Sequence, residues 1–247
     1  MMIEEQTLLK MREMKLHGFA EAYSEIIADP PGNALSFAEQ IAMMIDREST
    51  QRDNRRLARL LRAAKLGLDA CLEDVWCDAG RGISKDRVRE LATCRWIKHR
   101  HNIVIVGKTG CGKSYLGAAL AQAACRNGHK ALRARVPRLL HELAIARADG
   151  SYRKRIEKLA RTQVLVLDDF LIAPLKNSER NDLLEILEDR YDKSSTVITS
   201  QIPTKTWHEQ LADPTIADAI CDRLIHNAHV LSLRGPSMRK KKGLGKN

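Results

Sequence analysis

Residues 107–114 read Gly-Lys-Thr-Gly-Cys-Gly-Lys-Ser, and these types at this spacing can hold a polyphosphate. Gly107, Gly110 and Gly112 let the backbone curl so that its N–H groups, those of Lys108, Thr109 and Cys111 among them, point inward around a β-phosphate. A helix starting there adds the positive partial charge of its N-terminus. Lys113 can then reach the β- and γ-phosphates, Ser114 offers a hydroxyl to Mg²⁺, and Tyr115 opens the helix beside the site. The apolar run Ile103-Val104-Ile105-Val106 leads into the loop and a helix-forming run follows it. That context favours a P-loop for ATP and Mg²⁺ over an ordinary glycine turn ahead of a helix.

A second set of chemical groups lies downstream, where Val164-Leu165-Val166-Leu167 runs into Asp168-Asp169. A fully apolar run reads as a buried parallel strand, and open α/β sheets bind ligands where their strands end. Asp168 is therefore expected to serve the Mg²⁺ ion and Asp169 to act as general base on the attacking water. Without a P-loop the same acids would read as the solvated end of a strand.

Charge is unevenly placed. The chain of 247 residues has a formal net charge of +11; residues 1–100 hold 17 Lys+Arg against 16 Asp+Glu, and residues 101–247 hold 25 against 15. Arg147, Arg153, Lys154, Arg155, Lys158 and Arg161 cluster before the acidic strand, and Arg239-Lys240-Lys241-Lys242 with Lys246 form a basic tail. Such stripes suit a phosphate backbone, although a solvated helix face and a solubilising tail would look the same. No apolar run approaches 18 residues and no charged-then-apolar leader opens the chain, so the expectation is a cytoplasmic protein with no membrane contact. Six cysteines lack C-x-x-C pairing, which predicts reduced thiols and no zinc, with Cys125 a small core residue. His226 and His229 are spaced as two metal ligands on a helix would be, but no third ligand accompanies them.

These groups need elements to position them. The pattern predicts a helix over 7–28, broken by Asp29-Pro30-Pro31-Gly32-Asn33, and a second from Ser36, where Ser36 and Glu39 form a capping box, to near Gly67. Residues 69–83 read as an extended entry segment, and Ser84 as the cap of a helix reaching about His99. Strand 103–106, helix 113–127, strand 130–135, helices 137–148 and 151–162, the acidic strand, helix 178–192 and strand 196–199 complete the pattern. Alternating strand and helix means a parallel sheet covered on both faces. The fold class is thus α/β, with an all-α N-terminal domain over 1–67 suited to protein contact and a nucleotide-binding domain over 68–247 ending in the basic tail.

Several segments extend the pattern beyond a generic P-loop: MKLHGFAEAY (14–23), DRESTQRDNRRLARLLRAAKL (46–66), LLEILEDRY (183–191), TSQIP (199–203) and DPTIADAICDRLIHNAH (213–229). Together they resemble the IstB family, transposition-helper ATPases of insertion sequences that are related to the DnaC helicase loaders in the initiator branch of AAA+ proteins. The resemblance covers essentially the whole chain and implies a P-loop AAA+ sheet. It places Gly107, Gly112, Lys113 and Ser114 in the Walker A motif and Asp168 and Asp169 in Walker B. It also implies that Gln201 senses the γ-phosphate, that Arg223 is an arginine finger reaching a neighbouring subunit, and that Arg239 is a second sensor. Arg223 could instead form a surface ion pair with Asp222 or Asp218. Residues 147–161 fall where relatives carry a helical insertion facing DNA. Two departures stand out: Asp169 replaces the usual Glu and is shorter by one carbon, about 1.5 Å of reach, which points to slow hydrolysis, and Gln201 stands where Asn is common.

The expected function is therefore an ATP-dependent helper that assembles with copies of itself on double-stranded DNA and recruits or stimulates the transposase encoded by the same insertion sequence. A DnaC-like helicase loader would share the ATP site and differ in partner. A small-molecule phosphotransferase would use the same P-loop but leave the basic tail and Arg223 without a role.

Overall fold

The apolar runs of the second half become strands because both of their faces are covered. In the computed structural model, which describes residues 2–29 and 35–238, strands β1 (Asn102–Gly107), β2 (Ala131–Arg135), β3 (Val164–Phe170), β4 (Ser195–Ser200) and β5 (Ala228–Leu233) form one sheet. Their order is β2-β3-β4-β1-β5 and every pairing is parallel. Parallel strands require crossovers, and the helices supply them. One layer comprises α7 (Val136–Ala148), α8 (Tyr152–Ala160), α9 (Asn177–Arg190), α10 (Trp207–Leu211) and α11 (Pro214–Ile225). Their apolar residues join Val104, Val106, Leu165, Leu167 and Ile198 in one core cluster. The alternate strand residues Ile103, Ile105, Val166 and Val197 are fully buried on the other face, which α6 (Lys113–Arg126) covers with a run of alanines.

The expected strands and the P-loop helix form within a residue or two of their predicted bounds. The fifth strand, on the β1 edge, and helices α10 and α11 were not foreseen. The predicted helix over 7–28 is two, α1 (Met2–Glu13) and α2 (His17–Ala28). Lys15 takes a left-handed φ of 61°, while the Leu16 and Lys15 N–H groups bond back to the Met11 and Arg12 carbonyls. This is a Schellman stop made without glycine, which is why no sequence signal announced it. The helix predicted over 84–99 is likewise two, α4 (Lys85–Ala92) and α5 (Arg95–Lys98), separated by Cys94 at φ 55°. Ser84 caps α4 through the Arg87 N–H, as expected. The Ser36–Glu39 capping box opens α3 (Phe37–Ala64), with Ser36 N–H 2.7 Å from Glu39 Oε2.

Two compact units divide between Arg59 and Leu60, inside α3; the sequence-based boundary at 67–68 lies instead just past the helix end. In the smaller unit, Glu48 of α3 accepts the Gly18 N–H at 2.7 Å and the Phe19 N–H at 3.2 Å, neutralising the first turn of α2, and pairs with Arg52 at 2.6 Å. A β-carbon on Gly18 would lie 2.7 Å from the Arg47 carbonyl, so the two helices cross at backbone contact. In the larger unit Arg190 is buried with no carboxylate partner among the described residues. It donates to the carbonyls of Leu159, Thr162 and Ser195 and to Thr196 Oγ1, tying helix ends to the sheet. Cys125 is a buried core thiol, as its position in the P-loop helix suggested.

Candidate phosphate-binding site

The 107–114 loop leaves the carboxyl end of β1 and enters α6, with Gly110 and Gly112 in the left-handed region at φ 83° and 97°. Lys113 is 7% exposed, and its Nζ donates to the Lys108 carbonyl at 2.9 Å, so the ammonium is drawn across the loop it would share with a phosphate. Ser114 Oγ donates to Asp168 Oδ1 at 2.9 Å. The loop hydroxyl and the acid of β3 therefore meet at one point.

Adjacent strand residues ordinarily point to opposite faces, but the β3–β4 register slips between Leu167 and Phe170, so the two acids do not follow that alternation. Asp169 has a φ of 59° at this irregularity, which re-aims its side chain. Asp168 is 1% exposed; Thr199 Oγ1 donates to Oδ1 and Arg133 Nη2 to Oδ2. Burial alone would raise its pKa, but the Thr199 and Ser114 hydrogen bonds and the Arg133 charge outweigh it and hold the carboxyl below its ordinary value. Asp169 instead pairs with Arg135, whose Nε donates to Oδ2 at 2.9 Å while Nη2 lies 2.9 Å from the same oxygen, and the Asp169 N–H donates to Thr199 Oγ1 at 3.2 Å. A hydroxyl beside a buried ionised carboxylate is a donor set that fits a hard divalent cation.

Gln201, one residue past β4, accepts the Thr109 hydroxyl at 2.6 Å, so this amide does reach the loop. Beside the loop opens a cavity of about 310 Å³ with Lys113, Ser114, Tyr115, Asp169 and Gln201 on its polar side and Val75, Trp76, Ile83 and Leu233 on its apolar side. Arg81 braces it, donating to the Cys111 carbonyl at 2.7 Å with its guanidinium 5.4 Å from the Trp76 ring. The Met238 N–H reaches the Gly110 carbonyl at 2.9 Å, so the chain following β5 crosses the loop. Arg239 lies outside the described residues, as does the basic tail.

With this geometry, a profile of the family described as "IstB-like ATP binding protein" matches residues 9–245. The chain belongs to that family. An insertion sequence ATP-binding protein of Sinorhizobium fredii is 45% identical over 97% of this chain and 98% of its own length. Among solved structures, the DnaC helicase loader superposes with a TM-score of 0.55 at 20% identity, covering 69% of this chain and 100% of that one. AMPPCP-bound DnaA from Aquifex aeolicus does so at 0.56 and 18%, covering 72% and 56%. At those identities the likeness is one of fold, the P-loop AAA+ sheet with flanking helices.

Of the remaining residues that the sequence singled out, Arg223 lies away from the loop. Arg223 is on α11, whose end is fastened to the first residue of β1: Asn102 Nδ2 donates to the Arg223 carbonyl at 2.9 Å. The P-loop begins at the last residue of the same strand, about 16 Å further on for five strand steps. Its guanidinium turns to Glu188 at 2.9 Å and to the Ala219 carbonyl, rather than to Asp222 or Asp218. His226 follows the end of α11 and His229 is in β5, so they do not share a helix. In α8, Ile156 and Leu159 face the core while Arg153, Lys154, Arg155 and Lys158 are exposed. Arg155 reaches Glu142 at 3.3 Å, and the Arg147 guanidinium is held by buried Asp182 and lies 3.8 Å over the Tyr152 ring.

Arginines 133, 135 and 81 and Thr199 are the functional candidates that motif reasoning missed. The only signal for the first two was a period of two in a strand paired with the acidic one, which puts both on the face that α6 covers.

Proposed function

We propose that this chain binds ATP with Mg²⁺ at residues 107–115, hydrolyses it slowly, and works as an oligomer on duplex DNA to help the transposase encoded by the same insertion sequence. The observation that carries the reading is the meeting of Ser114 and Asp168 beside the P-loop, in a member of a family whose relatives are insertion sequence ATP-binding proteins. The loop amides of Lys108, Thr109, Gly110, Cys111 and Gly112 cradle the phosphates, Lys113 exchanges the Lys108 carbonyl for phosphate oxygens, and the nucleobase rests on the apolar wall at Trp76. Ser114 and Asp168 hold the Mg²⁺, which when bound offsets the phosphate charge. Gln201, placed by Thr109, senses the terminal phosphate, and Arg239 acts as the second sensor. Asp169 takes a proton from the attacking water only after leaving Arg135, which, with its short side chain, makes turnover slow.

Arg223, at the wrong end of β1 for its own loop, serves the loop of a neighbouring copy. Arg153, Lys154 and Lys158, with Arg155, line the DNA track, and Arg147 anchors α8 behind them. The test is ATP turnover against protein concentration, with and without duplex DNA. Turnover should rise with both, Lys113→Ala should bind no nucleotide while keeping its circular dichroism spectrum, and Asp169→Asn should bind without turning over. Wild-type affinity in Lys113→Ala would overturn the site. Capture of a hexameric helicase together with preference for single strands would replace the transposition reading by helicase loading.

A further inference from the structure

Arg133 stands in the middle of β2 with its side chain 13% exposed, and its two terminal nitrogens serve different parts of the chain. Nη2 donates to Asp168 Oδ2, and Nη1 donates to the Leu66 carbonyl at 2.6 Å. Leu66 is buried in the turn that leaves α3, between Lys65 at φ 50° and Gly67 at φ 65°. The φ at 67 favours glycine, and a β-carbon there would meet Arg133 Nη1 at 3.4 Å, an ordinary contact. One planar fork thus joins the cation-side carboxylate to the backbone exit of a 28-residue helix.

Stability alone does not account for this arrangement. Arg133 Nε is buried with no hydrogen-bond partner, and a buried ion pair with an unmet donor gains little over apolar residues of the same size. Its position offers a better account. Ser114 and Thr199 occupy Asp168 Oδ1 and leave Oδ2 to Arg133, so a cation drawn to Asp168 competes with the guanidinium for one negative charge. Weakening the Nη2 bond lets the fork shift, and a rigid fork cannot shift at Nη2 without disturbing Nη1.

We propose that Arg133 is a positioning residue that couples divalent-cation binding at Asp168 to the backbone of the 65–67 turn, holding the turn closed until the cation arrives. The inference rests on the reading of 107–115 and Asp168 as the ATP–Mg²⁺ site and deepens it into a route of regulation. Coupling free energies are reciprocal, so whatever loosens the turn from the α3 side also alters cation affinity.

The experiment is hydrogen exchange of the 65–67 amides in the full-length protein, read by mass spectrometry, with a non-hydrolysable ATP analogue in EDTA and then in Mg²⁺. Exchange in the wild type should be about fivefold faster or more with Mg²⁺, the low end of measured site-to-site couplings. In Arg133→Gln it should be fast in both conditions, with analogue affinity in EDTA unchanged because the hydrogen bonds of Arg133 go to Leu66 and Asp168 and not to the loop. Arg133→Lys keeps a charge at Asp168 but cannot bridge to Leu66; it should retain Mg²⁺-dependent affinity while the turn exchanges freely. Exchange that ignores Mg²⁺ in wild type that binds the analogue would overturn the coupling, as would a wild-type response in Arg133→Lys. These two measurements decide the matter even if Arg133→Gln fails to fold. Wild type that binds no analogue in either condition overturns the site reading itself and the coupling with it.

Discussion

Asp168 answers to its own burial and to three groups at once: the Thr199 hydroxyl, the Arg133 charge and the Ser114 hydroxyl. Its folded-state pKa lies below the ordinary carboxylate value, so the unfolded chain takes up its proton first as pH falls. The stability it contributes is present above the unfolded value and is lost as pH descends through the folded one. Asp168→Asn should therefore flatten the acid limb of a plot of unfolding free energy against pH. At neutral pH it should cost about 3 kcal/mol, because Arg133 is left with a buried, uncompensated charge. Urea titrations of both proteins across the acid range check this; parallel curves would mean that Asp168 is not ionised by its neighbours.

At the scale of elements, helix starts and strand cores were legible, and stops made without glycine were not. Ser36 and Ser84 announced themselves through hydroxyl caps, and β1 and β3 through runs apolar on both faces. Lys15 and Cys94 end helices in the left-handed region on the strength of backbone hydrogen bonds, which no side chain advertises. The 107–114 loop and the placing of both acids at the end of β3 were legible because spaced glycines ahead of a helix, and an apolar run ahead of paired acids, leave their pattern in the sequence itself. Arg133 and Arg135 were not, since a strand's period names a face and leaves the partner across the sheet unknown. The Glu48 link between α2 and α3 escaped for the same reason, spanning 30 residues. It supplies a charge to two helix N–H groups and an Arg52 partner, so Glu48→Gln should destabilise the N-terminal unit by about 2 kcal/mol. Its earlier melting, followed by exchange of the α2 amides, is the measurement.

For the whole molecule, the placement of Arg223 makes two variants complementary. Arg223→Ala should bind ATP without turnover, a loss of about 10³-fold or more if the arginine acts as a finger. Mixed with Lys113→Ala, it should regain activity, since one variant keeps the loop and the other the arginine; silence at every mixing ratio would rule out a shared site. DNA binding is tested by salt. Neutralising Arg153, Lys154 and Lys158 should lower the slope of log K against log salt by about 0.9 per lost phosphate contact on duplex DNA, whatever its sequence. An unchanged slope would move the track to the basic tail.

The attachment of Arg223 near the amino end of β1, with the P-loop at its carboxyl end, also gives the protein a direction. If each copy offers the arginine and the loop on opposite faces, as the proposed shared site has it, the contact is heterologous rather than a self-complementary two-fold patch. Copies then add head to tail. In such a row the last member would carry a loop without an arginine, so short rows would be poor ATPases and long or closed ones good, and the length of the row would become something that nucleotide can count.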